Sequence, residues 1–475
     1  MLGGGWGMRP PADEGNVITW LALLACAAAL AIWSAVFFEG RLRSKRLTHE
    51  AGEGAPESWA GVRWIIVLAW AYGVVPSLLG LWQLGRQGEG IGTLIVLTST
   101  GARIATGLST VIAFLCFRLI VTHMQSAPAT SIWRLIAFLA PWVAIQVISA
   151  VGAGYVSGRQ FLIFPLIGVT FWLVSPPLRV VSTLGLVAIT TAAFSLVFAL
   201  VSPLALVNAG PSGTDKSIIG SGPLVLAGPY SHSNSLALSL ALGAAPVVMI
   251  RSARLRALGF ALIGIALLWS AGRTSILAGA VVMAVYVATR RRSTQALQFL
   301  GLTAGIVGLV LVVWTPFHET NPLAFSQRGT IWMASLSTWH RHLWLGSGPD
   351  YYHQTTPWDH GHNLVVDSLA RGGLLALAAI TIWLAVLIRQ SFRMASLSAF
   401  PLLLMIAIVY TSWLEVPVEF GNLSNIGYAC WFPLAVICFT RDERALGAGL
   451  QSAATAIAGF RRERSVTTAE RRDSA

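Results

Sequence analysis

Apolar runs of about 20 residues recur along most of the chain, separated by polar connections. A run of that length matches the hydrocarbon thickness of a bilayer when it is helical, so each reads as a membrane span. The pattern predicts thirteen of them, at 17–38, 64–84, 104–122, 134–152, 161–175, 180–202, 233–250, 257–271, 274–289, 297–315, 364–388, 395–414 and 424–440. The expected fold is therefore all-α, a polytopic integral membrane protein with a long, partly helical outer loop. Its expected organisation is an N-terminal set of transmembrane helices (1–203), a core (204–440) with an outer loop at 316–362, and a basic tail (441–475). The first run is expected to be a span rather than a signal peptide. It exceeds the length of a leader's apolar region, no basic stretch precedes it, and Arg41, Arg43, Lys45 and Arg46 follow as a stop-transfer flank.

Composition agrees with the pattern. Of 475 residues 55% are hydrophobic and 11% charged, with a mean hydropathy of +0.69. A soluble domain carries about 25% charged residues, so a soluble enzyme and a secreted disulfide scaffold are both excluded. The four cysteines (Cys26, Cys116, Cys430 and Cys438) all lie inside apolar runs, where they read as small packing residues.

The net charge of +13 acquires meaning once it is sorted by membrane side. Lys and Arg are retained in the cytoplasm. With an odd number of spans and the first basic flank inside, the N-terminus is expected outside and the C-terminus in the cytoplasm. On that map the cytoplasmic segments hold 22 Lys and Arg and the outer segments eight. The basic excess is then mainly topogenic and implies no nucleic acid.

The outer face has a different chemistry. Six histidines fall between His318 and His362, in the longest loop, together with Trp332, Trp339, Trp344, Trp358 and the Tyr351-Tyr352 pair. That loop is too aromatic for disorder, and Gly329–Leu343 has amphipathic helical character that suits a membrane interface. The candidate chemistry is a set of cations with a His-Asn pair. Arg273 occupies the tight turn Ser270-Ala-Gly-Arg-Thr274, either snorkelling to headgroups or fixing a phosphate with its forked donors. Arg328 opens Arg-Gly-Thr-Ile-Trp332, and Arg341 lies between His340 and His342; both have a plain reading as solvated charges. His362-Asn363 begins the eleventh span, where the histidine is either a helix cap or a general base that titrates near neutral pH. The outer segments carry no cluster of acids, so no metal and no cofactor is expected.

Together these pieces resemble the O-antigen ligase and Wzy-type polymerase superfamily of bacterial envelope glycan transferases. Gly228-Pro-Tyr-Ser-His-Ser-Asn234-Ser-Leu-Ala237 looks like the Asn-containing start of that family's core, and Ser270-Ala-Gly-Arg273 like its Ser-Arg turn. Arg328-Gly-Thr-Ile-Trp332 is similar to the Arg and Trp of its outer loop, Trp344-Leu-Gly-Ser-Gly348 to its Gly-x-Gly element, and His362-Asn363 to the pair before its next helix. The five follow the family's order over about 225–390. One departure is Arg371, which stands where the family usually has an acidic residue.

The resemblance implies a transferase in the bacterial cytoplasmic membrane, acting on its outer face. The donor would be a glycan on undecaprenyl pyrophosphate, and the acceptor a sugar hydroxyl on a glycan or glycolipid. It further implies Arg273, Arg328 and His362 as catalytic residues, with Asn234, Arg341, Asn363, Trp332 and His360 contacting substrate. Ligases and polymerases share these motifs and differ in the acceptor. The rival class is a transporter of a small solute or glycan, for which internal repeats and charges near the membrane midplane would be expected.

The sidedness can be checked directly. A cysteine placed at Ser347 in a Cys-free background should react with an impermeant thiol reagent added from outside. Labelling only after permeabilisation would invert the map.

Overall fold

A computed structural model describes residues 56–86, 95–124, 130–153, 160–208, 224–352, 360–418 and 427–440. The run predicted at 17–38 and the basic tail lie outside the described residues. Twelve of the thirteen expected spans coincide with described helices. These are α1 (Pro56–Leu84), α2 (Ser99–His123), α3 (Ile132–Ala153), α4 (Gln160–Val174), α5 (Ser182–Val201), α6 (Ser233–Val247), α7 (Ala253–Ser270), α8 (Arg273–Thr289), α9 (Thr294–His318), α11 (Leu364–Met394), α12 (Phe400–Thr411) and α13 (Gly427–Phe439). The thirteenth, α10 (Ala324–Arg341), lies in the long loop and covers most of the amphipathic stretch expected at 329–343. Among the described residues, six helices are long and apolar enough to cross a membrane by length and composition; the other apolar ones are shorter. A short antiparallel ribbon, β1 (Leu206–Asn208) with β2 (Leu224–Leu226), pairs Val207 with Val225; the helical pattern gave no hint of it.

Polar side chains set several helix starts by accepting backbone N–H groups that have no partner in the first turn. Thr98 does this for α2, Ser252 for α7, Ser293 for α9 and Asn363 for α11. Apolar residues then sort by neighbour. On α6 and α12 nearly every residue is buried, which puts these two helices at the centre of the bundle. On α2 and α9 large apolar side chains such as Phe114, Phe117, Phe299, Val310 and Trp314 face outward, as a lipid-facing surface requires. Where helices cross closely, a glycine removes the side chain that would intervene: Gly185 lies against the backbone of Pro246, and Gly243 against Ala188. One apolar cluster runs from Val62 to Phe439, so helices on both sides of residue 203 share a single core.

The feature that shapes the upper end of the bundle is a break in α11. Gly373 has φ 60° and ψ −156°, a conformation open essentially to glycine alone. The backbone groups freed there are taken by the segment that follows α10. Ser347 N–H donates to Ala370 O (2.8 Å) and Gly348 N–H to Arg371 O (2.9 Å). In return Leu374 N–H donates to Leu343 O (2.9 Å) and Leu375 N–H to Trp344 O (3.2 Å). At this crossing Gly346 lies against the backbone of Arg371 and Gly372, and Gly373 against that of Trp344 and Gly346. The Gly-Ser-Gly element and Gly373, 25 or more residues apart in the chain, are thus two halves of one backbone junction.

Gly373→Ala should therefore lower stability by about 2 kcal/mol or more, since it combines a forbidden backbone with a Cβ against Trp344. Gly305→Ala on α9, where a Cβ meets nothing, should be neutral or mildly stabilising. Thermal unfolding of the two variants in detergent checks the pair.

Candidate active site

At the end of the bundle where α6 and α11 begin and α12 ends, three segments converge on one carboxylate, that of Glu415. Arg328 NH2 donates to its Oε1 at 2.6 Å, and Asn234 Nδ2 donates to the same oxygen at 3.2 Å. Its other oxygen, Oε2, faces His362 Nδ1 at 3.4 Å. Burial alone pushes the Glu415 carboxyl up. Arg328, with His362 and His360, outweighs that and holds it well below the usual carboxylate range, so it is an anion at any physiological pH.

Each partner is placed by its own local structure. Arg328 follows three residues in left-handed backbone, Phe325, Ser326 and Gln327 (φ 52°, 61° and 69°), that turn the chain into the regular part of α10. Its Nε donates to Leu414 O (3.0 Å) and its NH1 to Phe325 O (3.1 Å). Three of the five guanidinium N–H groups are therefore engaged, two of them with the segment that follows α12 and one within α10, and two remain. Asn234 lies at the start of α6, whose approach is fixed by a residue sequence reasoning missed. Arg86, just past α1, donates to the carbonyls of Leu204 (2.8 Å), Gly228 (2.9 Å), Tyr230 (2.8 Å) and Ser231 (3.0 Å). Burial pulls its pKa down to about 10.

His362 is held in left-handed backbone (φ 49°), uncommon for a residue with a Cβ. The turn before it explains why. Gly361 is packed between the Tyr352 hydroxyl and the backbone of Asp367, and its N–H donates to Asp367 Oδ1 (2.8 Å). His362 N–H then donates to His360 Nδ1 (3.1 Å), which assigns the His360 proton to Nε2. The two rings lie 4.1 Å apart. Burial, and then the charge of His362, hold His360 well below the ordinary histidine pKa of 6.5, with Arg371 and Arg328 adding to the shift and Glu415 opposing it. His360 is thus neutral near pH 7. The His362 side chain keeps 25% of its exposure, so its ring can be reached from outside. Its Nδ1 is shielded from water and too far from Glu415 for a good hydrogen bond.

Asn363 has a different role from the substrate contact expected of it. It is fully buried, and its Oδ1 accepts from Val365 N (2.9 Å) and Val366 N (3.0 Å) as the cap of α11. Its Nδ2 donates to Trp413 O and Val312 O, both at 3.0 Å. Val312 needs that donor because the residue one turn on is Pro316, which has no N–H. Both polar atoms of the Asn363 side chain are thus fully used, and neither is left for a ligand. Trp332 is likewise fully buried, against Val366 and Leu414 with Phe325 beside it; it packs the site rather than offering a stacking face. Arg341 and His340 are exposed at the far end of α10 and stand outside the group that Glu415 collects. Arg273 is exposed at the first position of α8. Its turn is rigid, with Ala271 in left-handed backbone (φ 54°) and Gly272 against Ala237, one helical turn from Asn234. Arg371 pairs with Asp367 (3.2 Å), donates to Pro349 O (3.0 Å) and lies over the Tyr352 ring (5.1 Å). It therefore braces the 361–367 turn, while the acid that orients the site comes from Glu415.

His360, His362 and Glu415 offer ligand atoms within 4.8 Å of one another, a set that can take a metal ion. Arg328 already supplies a cation at 2.6 Å from that carboxylate, so a divalent ion would share the anion with a guanidinium.

Residues 258–377 match the family described as O-antigen ligase (Wzy_C). The match holds Arg273, Arg328, His362 and Gly373, and it excludes Asn234 and Glu415. No curated protein matches the chain.

The buried neutral state of His360 sets a pH dependence. Its folded pKa lies below its unfolded value of 6.5, so the unfolded chain binds the extra proton first. Stability should be full above about pH 6.5 and fall as pH drops below it. His360→Gln should flatten that acid-side fall in the melting temperature.

Proposed function

We propose, from the match of residues 258–377 to the O-antigen ligase family, that the chain is a bacterial envelope glycan transferase using a polyprenyl-pyrophosphate-linked glycan. The observation that carries the reading is the His362–Glu415 pair at the mouth of the bundle, backed by Arg328. In this reading the Glu415 anion, 3.4 Å from Nδ1, stabilises the imidazolium by its charge, which leaves Nε2 for the acceptor hydroxyl. The hydroxyl oxygen attacks the anomeric carbon of the donor as its proton passes to His362. The bond from that carbon to the pyrophosphate oxygen breaks, and the electron pair leaves with the lipid pyrophosphate. A single displacement of this kind inverts the anomeric centre.

The leaving group carries its charge at headgroup level, and cations preorganised there would stabilise it. Arg273, exposed at the rigid α7–α8 turn, is the residue best suited to meet it. Arg328 contributes its two remaining N–H groups and holds Glu415 in place. The acceptor class, a sugar hydroxyl on a glycan or glycolipid, follows from the base. The outer face of the cytoplasmic membrane follows from the sidedness of the basic loops, and the Arg328 cation makes a metal unnecessary to the charge balance.

Two experiments probe the roles. His362→Ala should reduce transfer by about 10²–10⁴-fold while binding of the lipid donor survives. His362→Gln should be equally poor, because an amide cannot accept a proton at neutral pH; an active Gln variant would reduce His362 to an orienting role. Transfer by the wild type should persist in excess EDTA. Loss of activity that Mg²⁺ or Mn²⁺ restores would instead make His360, His362 and Glu415 a metal site.

A further inference from the structure

The consecutive residues from His340 to Leu345, at and just beyond the end of α10, are all exposed. His340, Arg341 and His342 are polar, whereas Leu343, Trp344 and Leu345 are large and apolar, with Trp344 72% exposed. An exposed apolar patch edged by polar residues marks an interaction surface. The chain cannot fold this one away, because its backbone is already fixed. Leu343 O accepts from Leu374 N–H and from Trp339 Nε1 (3.1 Å), Trp344 O accepts from Leu375 N–H, and Gly346 N–H donates to His342 O (2.8 Å). The apolar side of α10 itself turns inward: Ile331 packs with Tyr352 and Ala370, and Trp332 with Val366 and Leu414.

Depth indicates what covers the patch. Leu375, Ala378, Ile382, Ala385 and Ile388 are exposed along α11, a spacing that puts them on one side of the helix. They form the lipid-facing stripe of a helix long and apolar enough to cross a membrane. The stripe starts at Leu375, whose N–H is bonded to Trp344 O, so patch and stripe are continuous. At the other end of α11 the last turn carries Arg393, which is exposed. Leu375 stands about 27 Å from Arg393 at the helical rise, close to the roughly 30 Å thickness of a hydrocarbon core. With Arg393 at one membrane surface, Leu375 and the patch lie at the other. An indole at that level, with Arg341 close by in the chain, suits the boundary between acyl chains and headgroups.

We propose that Leu343, Trp344 and Leu345 are seated in the leaflet at the Glu415 end of the bundle, with Arg341 at the level of the lipid phosphates. Helix α10 carries Arg328 near one end and this foot at the other. Seating the foot therefore fixes the height of the Arg328–Glu415 pair relative to the acyl chains. The inference is independent of the transferase reading.

The test uses the full-length chain, with its four cysteines replaced, in nanodiscs of phosphatidylethanolamine and phosphatidylglycerol. A nitroxide is attached at Leu343→Cys or at Leu345→Cys. Its collisions with oxygen, which concentrates among acyl chains, are compared with its collisions with a water-soluble nickel chelate. Ile382→Cys on the stripe supplies the lipid reference, and Ser337→Cys, exposed on α10, the water reference. Labels at both foot positions should favour oxygen, as at Ile382→Cys, while the label at Ser337→Cys favours nickel. A preference for nickel at either foot position would mean that the patch is open to water. Shielding from both reagents would mean that protein, such as a second copy of the chain, covers it. Either result overturns the proposal.

Discussion

A single buried carboxylate orders the upper end of this bundle. An isolated charge shielded from water is costly, and breaking its pairing by removing one partner typically costs about 3–5 kcal/mol. Glu415 therefore constrains everything near it. Arg328 must reach it from α10, Asn234 from α6, and His362 from the turn before α11. Once those three are in place, the long loop is tied to the helices beneath it, and a histidine with one accessible face stands beside a fixed anion. The left-handed backbone at His362 and at Phe325–Gln327 is local strain accepted to bring the His362 ring and the Arg328 guanidinium onto one acid.

The rest of this end of the bundle is built to hold that geometry. Asn363 joins α9, α11 and the segment after α12 by meeting a carbonyl that Pro316 leaves without a donor. Asp367 and Arg371 brace the turn that carries His360 and His362. The break at Gly373 lets the segment after α10 bond directly to α11, so the loop is anchored by backbone as well as by the ion pair. Broken helices of this kind line ion paths in transporters, but here the carbonyls of Ala370 and Arg371 are taken by the N–H groups of Ser347 and Gly348.

Much of the architecture was legible in the chain because a membrane-spanning helix needs a long apolar run, and such runs are visible without a partner. Twelve expected spans coincide with helices, and α10 was visible as an amphipathic stretch. The cations and His362 were legible for the opposite reason, since polar groups at the ends of apolar runs stand out. Glu415 was not. It follows Leu414 at the edge of a span and lies 87 residues beyond Arg328, outside the segment that matches the family. The available signal was a charge balance: an arginine beside a membrane helix calls for an anion, and the 394–440 region holds acids only at Glu415 and Glu419. Asn363 and Trp332 turn out to be fully buried, and a motif shows which residues are special without showing whether they face a ligand or the core. Arg86 gave no pattern at all, as its partners are backbone carbonyls.

The central claim is that Glu415 and Arg328 act as one unit. A double-mutant cycle tests it most directly, with Arg328→Met, Glu415→Leu and the combined variant followed by thermal unfolding in detergent. Each single change leaves a buried charge or its carbonyl partners unmatched and should cost about 3–5 kcal/mol. The double variant, with neither charge, should be markedly more stable than the sum of the two losses. Additive losses would mean that the two residues do not depend on each other, and the account of this site built around one carboxylate would be wrong.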